Sequence, residues 1–351
     1  MPFAQRAELT VDYPILGPHS AVTISISFVH SMLASYARRG LPVADILNRA
    51  GIAEELLQYP GARVTAAQFA ALFVSLCVYF EDECLSLLSR PFKRGSYALM
   101  AQNSLNAQNL EQAIRRIANS FGVLQDDMRL ELTSDKKLAG LALHFTNPVV
   151  AASGFLHVLM LRSFWRLIDW LVGGLPIERF DMGFATPPDA ANYNELFNAP
   201  ILFERPVSVI WFEARQLEAL VRVDETGLRD FLTDPQTRFF YARRTNDELS
   251  SKVRAHLQQT KPVWPDLDAT AAALLTSAAS LQRNLAREGT TFQALKDKLR
   301  RDMAITYLNS TNISLTELAD MLGFSESASF QRAFKSWTGS APGSYRRGEK
   351  S

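Results

Sequence analysis

The sequence predicts an α+β N-terminal half, made of helices plus a small, mainly antiparallel sheet. An all-α domain follows, in which two helix-turn-helix units are joined by a central helix. Three observations carry this expectation. Apolar residues recur at helical spacing from Ile24 to Met128 and then at strand spacing over 129–146. The segment Ile313–Trp337 writes two short amphipathic helices around Gly323. A weaker copy of that pattern lies upstream, over Leu267–Arg287.

In the N-terminal half, Ile24–Arg39 is helical up to Gly40, and Val43–Arg49 is helical up to Gly51; glycine is the usual residue just past a helix end. Ala66–Phe80 is a strongly apolar helix. Asn109–Met128 carries Leu110, Ala113, Ile114, Ile117, Phe121 and Leu124 on one face. Arg129–Thr133 and Leu138–Thr146 read as strands around a turn at Ser134-Asp-Lys-Lys. A long apolar helix, Val149–Leu171, ends at Gly173-Gly174. A strand at Ile177–Phe184, a short helix at Asp189–Phe197 and strands at Leu202-Phe203 and Val207–Phe212 complete an α+β order. Cys77 and Cys84, the only cysteines, are expected to stack on one helix face as core.

Asp224–Lys261 is polar, with Arg238, Arg243, Arg244, Asp247 and Glu248, and reads as a helix plus connector. Pro262 and Pro265 break any continuous helix beyond it. In the first C-terminal unit Leu267, Ala271, Leu274, Leu281 and Leu285 face inward, and Thr276 or Ser277 starts the second helix. Phe292–Leu308 is a bridging helix, with Lys296, Lys298, Arg300 and Arg301 expected to face mostly outward. In the second unit Ser314 and Glu317 have the spacing of a capping box. Gly323 sits where the backbone must turn left-handed, Ser325 is placed to cap the second helix, and Phe330 and Phe334 form its buried stripe. The predicted division is an arm at 1–20, an effector-binding and dimerisation domain at 21–235, a helical linker at 236–265 and the double helix-turn-helix domain at 266–351.

Charge divides along the same line. Residues 250–351 hold 14 Lys and Arg against 9 Asp and Glu, whereas the rest of the chain is mildly acidic. A short helix, a glycine turn and a second helix with a polar, basic outer face is the arrangement that lays a helix in the DNA major groove. Other chemistry finds no support. His19, His30, His144, His157 and His256 lack metal-ligand spacing, so neither metal nor cofactor is expected. Gly173-Gly174 lacks the lysine of a phosphate loop, and no nucleophile motif is present, so no catalytic residue is assigned. No apolar run is long enough to span a bilayer and the N-terminus lacks a signal peptide, which favours a cytoplasmic protein without membrane contact.

The motifs Leu281-Gln-Arg-Asn-Leu-Ala-Arg-Glu-Gly289, Tyr307-Leu308, Glu317-Leu-Ala-x-x-Leu-Gly-Phe-Ser325, Ser329-Phe-Gln-Arg-Ala-Phe-Lys-Ser-Trp-Thr-Gly339 and Pro342-x-x-Tyr345-Arg346 resemble the DNA-binding domain of AraC/XylS-type transcription regulators. The resemblance covers about 250–347. Leu33–Ile52, Arg63–Phe69 and Tyr193–Phe203 resemble the N-terminal effector domain of a subgroup that includes ornithine-utilisation regulators. That domain is called "arabinose-binding type" but is not the cupin barrel of the arabinose regulator.

The resemblance implies two units entering successive major grooves. The first would present Ala279, Ser280, Gln282 and Arg283, with Arg287 on phosphate. The second would present Ser327, Ala328, Gln331 and Arg332, with Lys335 on phosphate. Alanines at 278 and 279 stand where many relatives are basic. Arg332 has a second possible role, bracing its own unit. Phe155, Trp165, Phe184 and Trp211 are candidates for an effector pocket within an aromatic set that is mostly core. The expected function is a sequence-specific, effector-responsive activator. Its partners would be double-stranded operator or promoter DNA, RNA polymerase, an unidentified small molecule and a second copy of itself. Two alternatives stay open: a DNA-repair enzyme using the same module, and a regulator whose N-terminal half mediates only protein contacts.

Overall fold

The computed structural model describes residues 22–197, 199–233 and 249–346. The arm at 1–20 lies outside them, as do Arg238, Arg243, Arg244, Asp247 and Glu248.

The N-terminal half opens with a two-stranded antiparallel ribbon, β1 (Thr23–Ser25) and β2 (Arg63–Thr65), with Ile24 opposite Val64. Each strand runs directly into a helix. Ser25 caps α1 (Ile26–Ala37), and Thr65 caps α3 (Ala66–Phe80) through a complete capping box with Gln68. Between them lies α2 (Val43–Arg49). Next come α4 (Ser96–Ser104) and α5 (Leu110–Leu124), the latter burying Leu110, Ala113, Ile114, Ile117 and Phe121 as its spacing requires. A five-stranded sheet follows in the order β3-β4-β7-β5-β6: β3 (Met128–Ser134), β4 (Leu138–Phe145), β5 (Arg179–Asp181), β6 (Ile201–Leu202) and β7 (Ser208–Glu213). Only β5 and β6 run parallel. The β3–β4 turn forms as its sequence suggests, with the Asp135 carboxylate accepting the N–H groups of Lys137 and Leu138.

The apolar run before the double glycine is split into α6 (Pro148–Ala151) and α7 (Gly154–Val172). Ser153 caps the second piece, and a Cβ at Gly154 would meet the Phe184 ring at 3.0 Å, so the break admits that ring. Nearly all of α7 is buried, and Trp165 packs edge-on against Phe180 of the sheet. The helix expected at 189–197 is a 3-10 turn, Ala190–Glu195. Cys84 is not on a helix face with Cys77: α3 ends at Phe80, where Glu81 takes a left-handed conformation, although both cysteines are buried. The polar segment contributes α8 (Glu225–Thr233) and α9 (Leu249–Gln259).

The C-terminal half is all helical. α10 (Leu267–Ala273) and α11 (Ala278–Arg287) form the first unit, α12 (Phe292–Ser310) bridges, and α13 (Leu315–Met321) and α14 (Ser327–Thr338) form the second. α9 packs on α11 and α12, and the Glu288 carboxylate accepts the N–H groups of Leu249 and Ser250 at its start, each at 3.0 Å.

The two halves meet through the ribbon. The Thr23 hydroxyl donates to Asp302 Oδ1 on α12 at 2.6 Å and accepts from Arg63 Nε at 2.7 Å. Arg63 Nη2 donates to the Thr23 carbonyl, and the Arg63 N–H donates to the Tyr345 hydroxyl at 3.1 Å. Arg301 holds the same Asp302 oxygen from the other side at 3.0 Å. Gln68, having closed its capping box, donates to Asn309 Oδ1 at 2.7 Å. Asp302 and Arg63 are both buried.

Candidate nucleic-acid interface

Each C-terminal unit is built so that one helix supports and the next is displayed. In the first, Asp266 caps α10, and Ser277 caps α11 by accepting the Ser280 N–H. Leu281 and Leu285 are buried beneath α11. In the second, Ser314 and Glu317 form the expected capping box, and Gly323 turns with φ +73. Ser325 does not cap α14. Glu326 occupies the N-cap position and makes no side-chain cap bond. Phe330 and Phe334 are fully buried and stack edge to face.

The displayed faces are polar. Ala279, Gln282, Arg283 and Arg287 are exposed and Ser280 is half-buried. Ala328, Gln331, Arg332 and Lys335 are exposed and Ser327 is half-buried. Arg283 Nη2 donates to Ser280 Oγ at 3.2 Å, and Arg287 Nη1 reaches Asn284 Oδ1 at 3.4 Å. Arg332 Nη2 donates to Ser329 Oγ at 3.0 Å, and Gln331 Nε2 donates to Ser327 Oγ at 3.3 Å. Serines thus hold Arg283, Gln331 and Arg332 against the outer helix surface, and Asn284 holds Arg287. Ser329 was absent from the sequence-based candidates. The signal for it was the stretch Ala-Ser-x-Gln-Arg, which occurs in both helices.

The bridging helix is less outward-facing than its sequence suggests. The Arg300 guanidinium lies 4.9 Å from the Trp264 ring and 4.9 Å from the Phe324 ring, and its Nη2 donates to the Gly323 carbonyl. Burial lowers its pKa, partly offset by Asp297. Trp264 Nε1 donates to the Met321 carbonyl at 3.0 Å, and Lys296 Nζ donates to the carbonyls of Trp264 and Pro265. A Cβ at Gly323 would stand 2.6 Å from Trp264 Cδ1, so glycine serves both the left-handed turn and the close approach of that indole. The lead-in to the first unit is therefore clamped onto the turn of the second.

Residues 40–220 match the family model described as the arabinose-binding domain of AraC transcription regulators, N-terminal, and residues 270–348 match a helix-turn-helix domain. The chain belongs to the AraC family of transcription regulators. It is similar to the ornithine utilization regulator of Pseudomonas aeruginosa, 28% identical over 330 residues that cover 93% of this chain and 97% of that one. It is also similar to the urease operon transcriptional activator of Escherichia coli, 34% identical over 102 residues covering 28% and 34%. Among solved structures, the transcriptional regulator CdpR from Pseudomonas aeruginosa covers 91% of this chain and 97% of its own at 18% identity and a TM-score of 0.32. This AraC-family chain is a DNA-binding transcription regulator.

In its N-terminal half a narrow cavity, with room for about one water, is lined by Phe28 of α1, Phe69 of α3, Phe155, Val158, Leu159 and Arg162 of α7, and Leu196. Arg162 is the charged member of that lining. Its guanidinium lies 4.6 Å over the Trp165 ring, and burial with Arg166 nearby pushes its pKa down to about 9, against Asp169. Of the four candidate effector residues, Phe155 lines this cavity and Trp165 backs Arg162. Phe184 packs instead with His157, Tyr193 and Phe203. Trp211 lies on the opposite sheet face from Ile210 and Phe212, where it donates to Asp181 at 2.7 Å beneath Arg179. Among the described residues no His, Cys, Asp or Glu cluster could hold a metal, and no helix is long and apolar enough to cross a membrane.

Proposed function

We propose that this regulator is an effector-responsive activator that reads two successive major grooves with α11 and α14. The single observation that carries this is the matching display of Gln282-Arg283 and Gln331-Arg332 on the exposed faces of two second helices. Ala279, Ser280, Ser327 and Ala328 lie beside them on the same faces, and Arg287 and Lys335 are placed to contact phosphates. The α12 helix, 19 residues long, spans about 28 Å, comparable to the roughly 34 Å between successive grooves. The activator reading is supported by the likeness to the urease operon transcriptional activator, and it brings RNA polymerase and a second copy of the chain as partners. The domain division we adopt is 21–235 for the effector domain and 266–351 for the DNA-binding domain, with the segment 236–265 between them. Because α9 packs on α11 and α12, that end of the linker travels with the DNA-binding domain.

The effector site is the cavity at Phe28, Phe69, Phe155 and Arg162. A ligand larger than water has to displace Phe28 or Phe69. These sit on the helices that begin at Ser25 and Thr65, next to the ribbon that docks on Asp302. An effector with different affinity for the docked and released arrangements shifts their populations. The buried positions of Cys77 and Cys84 favour this reading over a repair enzyme with a reactive thiolate.

The test is fluorescence anisotropy on a duplex from the chain's own upstream region. Arg283→Ala with Arg332→Ala should cut affinity by about a hundredfold, and Arg287→Ala with Lys335→Ala should flatten the salt dependence. Unchanged affinity in the first pair, or an unchanged salt slope in the second, would overturn the reading.

A further inference from the structure

The two displayed helices carry the same five-residue stretch around one buried apolar residue. Residues 279–283 read Ala-Ser-Leu-Gln-Arg and residues 328–332 read Ala-Ser-Phe-Gln-Arg. The burial sequence is also the same in both: exposed, half-buried, buried, exposed, exposed. In each, the arginine Nη2 donates to the hydroxyl of the serine three residues before it, at 3.2 Å and 3.0 Å. Each follows a supporting helix of seven residues. The one apolar difference, Leu281 against Phe330, is buried beneath the helix and does not reach DNA.

Base specificity follows from which donors and acceptors are presented and from where the backbone holds them. A guanidinium matches the two major-groove acceptors of guanine, a glutamine amide matches adenine, and an alanine methyl can pack on the methyl of thymine. Two helices that present the same groups from the same helix positions read the same bases where they dock in the groove alike. The residues that differ flank this stretch. In the register that aligns the two copies, Asn284, Ala286 and Arg287 stand where the second has Ala333, Lys335 and Ser336. Arg287 and Lys335 fall where phosphate contacts position the helix without selecting sequence.

We propose that this regulator recognises a duplex in which one short core, containing a guanine next to an adenine–thymine pair, occurs twice, one helical turn apart. The inference rests on the two-groove reading above and narrows the class of DNA that satisfies it. The second copy is read more strictly, because Gln331 is already held by Ser327 Oγ at 3.3 Å. The first helix has Ala278 at the corresponding place and gives Gln282 no such tether.

The experiment is selection of duplexes from a randomised pool by the purified full-length chain, repeated with Arg283→Ala and with Arg332→Ala. The enriched duplexes should contain two copies of one core with centres about 10–10.5 base pairs apart. Each variant should lose about tenfold or more in affinity and relax the same base of the core, one variant in each copy. Both arginines are exposed, and a melting temperature within error of the parent confirms that a variant is folded. Two dissimilar cores, or variants that relax different bases, would overturn the shared-core inference while leaving two-groove binding intact, whereas a single core would overturn both. No enrichment, or enrichment insensitive to both substitutions, would overturn the two-groove reading and this inference with it.

Discussion

Replacing Asp302 by alanine should loosen the N-terminal half from the bridging helix. The Asp302 side chain is 4% exposed and that of Arg63 is 5% exposed, with Arg63 Nε 4.0 Å from the carboxylate. Removing one partner of a buried ion pair costs about 3–5 kcal/mol. The full cost does not apply here. Arg63 keeps its bonds to the Thr23 hydroxyl and carbonyl, and Arg301, 16% exposed, can turn toward water. We therefore expect a loss of about 2–3 kcal/mol, read from urea unfolding of the full-length chain. Thr23→Val removes the 2.6 Å hydroxyl bond while keeping the side-chain shape. A double-mutant cycle of the two should return a coupling of about 1–2 kcal/mol. An Asp302→Ala loss below about 0.5 kcal/mol, or a coupling near zero, would refute the assignment of this network as the inter-domain tie.

Two further outcomes are expected. Leu275, 95% exposed, has a left-handed φ of 55 at the turn of the first unit, where the second unit has Gly323. Leu275→Gly removes about 1–2 kcal/mol of backbone strain and adds up to about 1 kcal/mol of unfolded-state entropy, so the melting temperature should rise slightly; a clear fall would count against the strain. His157 is held by Ser208 Oγ at 2.6 Å and the Ala151 carbonyl at 2.9 Å, and burial lowers its pKa. With the folded pKa below an unfolded value of about 6.5, the unfolded state binds the proton first. Stability is then full above about pH 6.5 and falls as pH drops from there toward the folded pKa. His157→Gln should flatten that decline between about pH 7.5 and 5.5, and an unaltered slope would exclude His157 as its source.

The parts of the molecule legible in sequence are those built from local chemistry. The Ser314–Glu317 box, the turn at Gly323, the stripe of Phe330 and Phe334, and the Asp135 hairpin each depend on residues within a few positions of one another. Long-range contacts leave no period to read. Arg300 follows the outward pattern of its helix, yet an indole 36 positions earlier draws it into a stack. Asp302 likewise looks like one more surface charge until Thr23 and Arg63 are brought onto it. The four pocket candidates divide, Phe155 and Trp165 lying at the cavity and Phe184 and Trp211 away from it, for a different reason. Aromatic content marks a core, and the alternation along Val209–Phe212, which sets Trp211 against Ile210 and Phe212, was the finer signal. The break at Ser153 arises where a ring from elsewhere in the chain, that of Phe184, packs closely on Gly154.

The bridging helix is where the molecule's two tasks meet. Arg300 and Asp302 are two residues apart, so at 3.6 residues per turn they point about 200° apart around α12. One side carries the Trp264 clamp that ties the first unit's entry to the second unit's turn. The other side carries the ribbon contacts from Thr23, Arg63 and, a further two turns along, Gln68 to Asn309. A displacement of α1 or α3 at the cavity therefore has a short covalent route, through Ser25 or Thr65, to a helix whose opposite face fixes the relation between the two recognition helices. The buried polar ties at Asp302 favour discrete docked and released arrangements over gradual sliding, because a half-withdrawn Asp302–Arg63 pair would leave desolvated charge without its partner. An effector acting there would change how well two shared cores are met at once rather than how either helix reads its own bases.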